Sequence, residues 1–211
     1  MTFESEFEKR FGMPIDHAVI KSQKWNISKW NDEQWSSLPK FNSQTFFATF
    51  DKVFSEITND IINKKNTTVR PQQISTYVKP EQYINKFNVL LLGGLTESAN
   101  RDIGATSTTV DYIGVGTDST AESQSQTGLI SAYGNRKQFS VSGSRTVVNQ
   151  TAKYGMVFTD TDLTVPVSLT EACTFTLSSG GIGHCRIQYP SFTLSTGERI
   201  VFQINELMAN G

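Results

Sequence analysis

The sequence predicts an α+β fold in two parts: an N-terminal aromatic arm with an amphipathic helix, and a C-terminal antiparallel β-sandwich. Three observations carry this prediction. One apolar stripe at helical spacing runs through residues 44–64. From residue 110 onward, short alternating segments are separated by turn residues. Lysine usage changes at the same place, with ten lysines before Gly94 and only Lys137 and Lys153 after it. The predicted division is 1–94 for the arm, helix and strand, 95–109 for a linker, and 110–211 for the β-sandwich domain.

Residues 1–41 hold Trp25, Trp30 and Trp35 together with Phe3, Phe7, Phe11 and Phe41. Phe3, Phe7 and Phe11 are spaced i, i+4, i+8, so a short amphipathic helix is expected before Gly12. The five-residue Trp spacing matches neither period 2 nor period 3.6, and Pro14 and Pro39 interrupt any long helix. So many aromatics do not suit a disordered tail; the arm is expected to pack on its own chain or on a neighbour. In residues 44–64, Phe46, Phe47, Phe50, Val53, Phe54, Ile57, Ile61 and Ile62 form the stripe. Asn42 or Ser43 can cap its start, and Lys64 and Lys65 sit favourably at the negative end of the helix dipole.

Residues 67–80 read as extended and Pro-bounded, with Ile74, Tyr77 and Val78. The apolar run 87–92 suits a strand buried on both faces. Residues 95–109 read as a polar connection. Strands are then expected at 110–115, 137–141, 146–148, 154–159, 165–169, 174–177, 185–189 and 200–206, with a Ser/Thr/Gln/Gly-rich loop at 116–126. Ile200, Phe202 and Ile204 alternate with Val201, Gln203 and Asn205 across a strand. Ser142–Gly143, Ser179–Gly180–Gly181 and Thr196–Gly197 are the candidate hairpin connections.

At 211 residues the chain is long enough to bury a substantial core. A net charge of −1 gives no global field to recruit nucleic acid or an acidic membrane. Met1 to Arg10 is charged and lacks the apolar centre of a secretory leader. The longest apolar run is far too short to span a bilayer. Cys173 and Cys185 flank a Gly-rich turn. A cross-strand disulfide and two packed, reduced thiols are both compatible with that placement.

No catalytic or metal constellation completes itself, so neither a catalytic residue nor a cofactor is expected. His184, Cys185 and Cys173 lack a fourth ligand for a structural zinc site. Asp160 and Asp162 lack the glycine and distal glutamate of a calcium loop. Glu171 and Asp160 could be cast as a glycosidase pair only at a separation the sequence does not supply. Gly114–Val115–Gly116 lacks the third glycine and following helix of a dinucleotide loop. Ser142–Gly143–Ser144 lacks the strand-to-helix flanks of a nucleophile elbow.

An ordered series of short motifs runs through residues 112–207. It begins with Gly114–Val115–Gly116–Thr117 and continues with Thr127–Gly128–Leu129 and the basic pair Arg136–Lys137. Thr170–Glu171–Ala172–Cys173–Thr174–Phe175 then precedes the Gly-rich turn at 178–183. Arg186–Ile187 and the turn 192–197, leading into Ile200–Ile204, close the series. This series resembles a β-sandwich that recurs in structural proteins of tailed, phage-like virus particles. Cys173 stands where the family usually has glycine, and Thr174 where it usually has leucine. Residues 1–94 carry no such resemblance.

The resemblance implies a non-enzymatic virion component assembled in the host cytoplasm: a tail, baseplate, neck or fibre-attachment protein acting as a homo-oligomer with other virion proteins. A capsid-surface protein is the alternative within that class, and a host-glycan-binding module the alternative outside it. No nucleic-acid contact and no membrane insertion are expected. Phe3, Phe7, Phe11, Trp25, Trp30, Trp35 and Phe41 are the candidate subunit-interface residues. For the tryptophans, two other readings stand beside that one: packing on the Phe-rich helix of the same chain, and stacking on sugar rings. Glu171, near the base of a hairpin, is the candidate turn anchor, through hydrogen bonds to backbone amides.

Overall fold

The computed structural model describes residues 18–65, 79–102, 109–149 and 151–210. These are mostly β, in two five-stranded antiparallel sheets with a few helices. The strands are β1 Ala18–Trp30, β2 Gln82–Phe87, β3 Val89–Leu90, β4 Tyr112–Gly116, β5 Ala132–Gln138, β6 Ser144–Val148, β7 Thr151–Thr159, β8 Val167–Phe175, β9 Gly183–Leu194 and β10 Arg199–Asn210. The helices are α1 Asp32–Ser36, α2 Phe46–Lys65, α3 Leu92–Asp102 and a single turn, α4, Phe139–Ser142. The first sheet runs β2-β1-β10-β7-β6 and the second β3-β9-β8-β4-β5.

The inner faces of the two sheets share one core. Trp25 and Ile27 of β1, Met156 and Phe158 of β7, and Ile200, Phe202 and Ile204 of β10 come from the first sheet. They meet Ile113 and Val115 of β4, Leu169 and Ala172 of β8, and Ile187, Tyr189 and Phe192 of β9. The outer face of the first sheet carries a second cluster. There α2 lays Phe46, Phe47, Phe50, Val53 and Phe54 on Trp30 and Val201. Gly155 makes this close approach possible, because a Cβ there would collide with the Phe46 ring. Asn42 caps the approach to α2: its Oδ1 accepts from the backbone N–H groups of Gln44 (2.9 Å) and Thr45 (3.0 Å).

Several expectations are corrected. Residues 18–30 are not an irregular arm but the second strand of the first sheet, paired with β10 on one side and β2 on the other. The odd Trp spacing has a simple cause. Successive side chains of a strand alternate faces, so Trp25 enters the inner core and Trp30 the outer cluster. The division into 1–94 and 110–211 fails for the same reason, since β1 and β2 complete a sheet whose other strands lie after residue 143. The expected linker 95–109 is helical as far as Asp102. The Gly93–Gly94 pair hides this helix from propensity, but Gly94 fits directly against the His184 backbone.

The run 87–92 is not one buried strand. It crosses from the first sheet to the second, leaving Phe87 and Leu92 exposed. Residues 167–169 and 174–175 of the two expected strands belong to the single strand β8, and 137–141 turns helical after Gln138. Ser142–Gly143 leads from α4 into β6, and Thr196–Gly197 joins strands of different sheets, so of the three candidate hairpins only 179–181 connects paired neighbours. The extended segment expected at 67–80 lies almost wholly outside the described residues, as do Phe3, Phe7 and Phe11.

Candidate functional site: the anchored loop and the free sheet edge

Glu171 sits in the middle of β8 on the outer face of the second sheet, with no exposed surface. Its Oε1 accepts from the Ser131 N–H at 2.8 Å. Its Oε2 accepts from the Ile130 N–H at 3.1 Å and from Arg186 Nε at 2.7 Å. Glu171 therefore anchors backbone amides, but those of the segment entering β5 rather than those of the 178–183 turn. Gly116 is required beside it: a Cβ there would strike both the Glu171 carboxylate and the Ser131 carbonyl.

Arg186 extends the same network and is itself fully buried. Its Nη1 donates to the Thr120 carbonyl (3.0 Å) and to Gln126 Oε1 (3.1 Å), and its Nη2 lies 3.6 Å from Asp118. Farther along, Glu122 Oε1 accepts from Lys86 Nζ (2.7 Å) and from the Gln188 N–H (2.7 Å). Burial would raise the Glu122 pKa, but Lys86 and the Gln188 amide together outweigh it and hold the carboxyl below its ordinary value. The polar loop after β4 is thus pinned by the fully buried Arg186 and by the partly exposed Lys86–Glu122 pair. A sequence offers little warning of this, because Arg186 and Lys86 are remote in the chain from the loop they hold.

The other chemistry-bearing residues are dispersed. Cys173 pairs across the sheet with Arg186, and Cys185 with Thr174, so the two thiols face opposite sides of the sheet and are unbridged. Burial pushes Cys185 up to about 12 and Cys173 well above its usual value. Such thiols are poor nucleophiles and poor ligands. His184 Nε2 is 3.2 Å from Ser98 Oγ. Asp162 Oδ2 accepts from Lys137 Nζ and from the N–H and hydroxyl of Thr159, while Asp160 accepts from the Gly197 N–H. These two carboxylates hold turns. Among the described residues no three His, Cys, Asp or Glu side chains converge as a metal site would require.

Of the candidate interface residues, two of the tryptophans are drawn inward. Trp25 and Trp30 are fully buried, with their indole N–H groups donating to Gln23 Oε1 and Ser28 Oγ. Side chains of the same chain cover both, Trp25 in the inner core and Trp30 in the cluster under α2. Trp35 and Phe41 are partly buried against the cluster under α2, 5.3 Å apart between ring centroids.

Exposed apolar surface lies elsewhere. β6 is an outer strand of the first sheet, and among the described residues no strand lies beside its far edge. Val147 and Val148 on that strand are 73% and 46% exposed, and Val141, just before it, is 78% exposed. An outer strand edge with exposed valines is the kind of arrangement that templates strand pairing between chains. Sequence reasoning found a short strand here but had no means of placing it at an edge. Comparison of the chain with protein-family models, with curated proteins and with solved structures returned no match.

Proposed function

We propose that the chain is a non-enzymatic structural component of a tailed virus particle, in the tail or baseplate, neck or fibre attachment, working as a homo-oligomer. The observation that carries this reading is the outer edge of β6, beside which no strand lies among the described residues, with the exposed Val147 and Val148 on the same strand. Pairing of two copies across such an edge continues the hydrogen-bond ladder and covers the valines. Placed antiparallel, it generates the two-fold contact most common in homo-oligomers. The anchored loop supports the same role. Its ionic groups are spent on protein partners, which stiffens a surface instead of presenting reactive groups. The motif series through residues 112–207 supplies the particle context.

The test is sedimentation velocity on the full chain and on the Val147→Lys variant. An exposed substitution of this kind leaves monomer stability within about 0.5 kcal/mol. The expected result is an oligomer for the natural chain and a folded monomer for the variant. A monomeric natural chain at tens of micromolar, or a variant that assembles equally well, overturns the reading.

A further inference from the structure

We infer that two copies meet in one register, β6 antiparallel to β6 with a two-fold axis through Thr146, so that two five-stranded first sheets join into one continuous sheet. This rests on the edge pairing proposed for β6 and adds which residues meet. Among the described residues the outer strands are β2, β6, β3 and β5, and three of them carry a feature that hinders addition of a further strand. β3 is only two residues long. β5 is interrupted by Gly134, at φ +69°, and its pairing with β4 shifts register between Ile113 and Val115. β2 ends beside Lys86, whose ammonium crosses to Glu122 and to the Gln188 carbonyl of β9. β6 has none of these. It pairs with β7 over all of 144–148 without a register shift, and residues 145–148 are exposed.

Alternation and symmetry then select the register. A two-fold axis normal to the sheet keeps each face on its own side, so a residue can lie opposite only a partner residue an even number of places away. Centred on Thr146, the pairing uses all of 144–148 in both copies. Centred on Val147 it uses only 146–148, because the chain turns at Asn149, which has φ +46°. Centred on Arg145 it uses only 144–146 and sets two guanidinium groups opposite each other, which is unfavourable. In the Thr146 register Arg145 instead lies opposite the partner's Val147, and Ser144 opposite the partner's Val148. Val147, 73% exposed, is then covered by the aliphatic stem of the partner's Arg145. The guanidinium stays within reach of Asp111 in its own copy, 3.3 Å away.

Disulfide trapping on the full chain tests the register, with sedimentation velocity on the natural chain run beside it. Buried Cys173 and Cys185 keep the natural chain as an unlinked control. Under copper–phenanthroline oxidation Thr146→Cys should give a disulfide-linked dimer. Val148→Cys should not, since each copy's residue 148 lies four places from its mate, about 13 Å along the strand, beyond the Cα separation of about 7 Å that a disulfide spans. A second pair of variants reads the charges. Val147→Glu sets a carboxylate opposite the partner's Arg145 and Val147→Lys sets an ammonium there, so the first should dimerise at least about fivefold more tightly. The register is overturned if Val147→Cys or Val148→Cys links faster than Thr146→Cys, if an oligomeric chain links at none of these three positions, or if the two charge variants dimerise equally. A natural chain that sediments as a monomer overturns the edge pairing itself, and the register falls with it.

Discussion

Glu171→Gln is the sharpest perturbation of the anchored loop. The substitution keeps the size of the side chain and removes its charge. Arg186, which has no exposed surface, then keeps as a charged partner only the more distant Asp118 carboxylate at 3.6 Å, beside the neutral acceptors of Thr120 and Gln126. Removing one partner of a buried ion pair costs about 3–5 kcal/mol, because the remaining charge stays desolvated. For a chain of this length, about 2–4 °C of Tm accompanies each kcal/mol, so the expected fall is about 6–20 °C. Equilibrium urea unfolding followed by circular dichroism measures the free energy directly. The double variant Glu171→Met, Arg186→Met should lose much less than the sum of the two single variants, since it removes both charges. A coupling above about 1.5 kcal/mol is expected for contacting residues. A Glu171→Gln loss below about 0.5 kcal/mol, or additive single variants, would refute the claim that these two groups hold the loop.

The thiols make a second prediction. Native protein at pH 8 should leave Ellman's reagent unreacted, and denatured protein should titrate two thiols; fast native reaction, or no thiol after denaturation, contradicts the buried, unbridged assignment. Their raised pKa values also set an alkaline limit. The unfolded thiols ionise from about pH 9 while folded Cys185 holds its proton to about 12, so stability should fall progressively across that window. At the acid end the sign is opposite. Glu122 and Asp162 are held below their ordinary values of 4.5 and 3.8, so the stability they contribute is present above those values and lost as pH falls through the lower folded ones. Thermal melts between about pH 2 and 6 should show this loss, and Glu122→Gln should reduce it; a variant with the full acid dependence would contradict Glu122's part.

Legibility in the sequence varied with the range of the interaction. The α2 stripe and its Asn42 cap are local, and both were readable to within a residue or two. Most of the short strands after residue 110 were also located, because alternation is local. What the sequence withheld was pairing. Nothing within residues 18–30 announces that Trp25 lies opposite Ile204 of the last strand, so a central strand read as an irregular arm and one core read as two parts. Glu171 was legible as an anchor of backbone amides from its place near the base of a hairpin. Which amides it holds, and the buried Arg186 beside it, depended on the β8–β9 register.

The most direct measurement is quantitative mass spectrometry on purified particles made by the genome that encodes the chain, coupled to electron cryo-microscopy of the same particles. The structural account predicts the chain as a stoichiometric component present in many copies, with density for its two sheets at a symmetric position. Intact, infectious particles that lack the chain would contradict it.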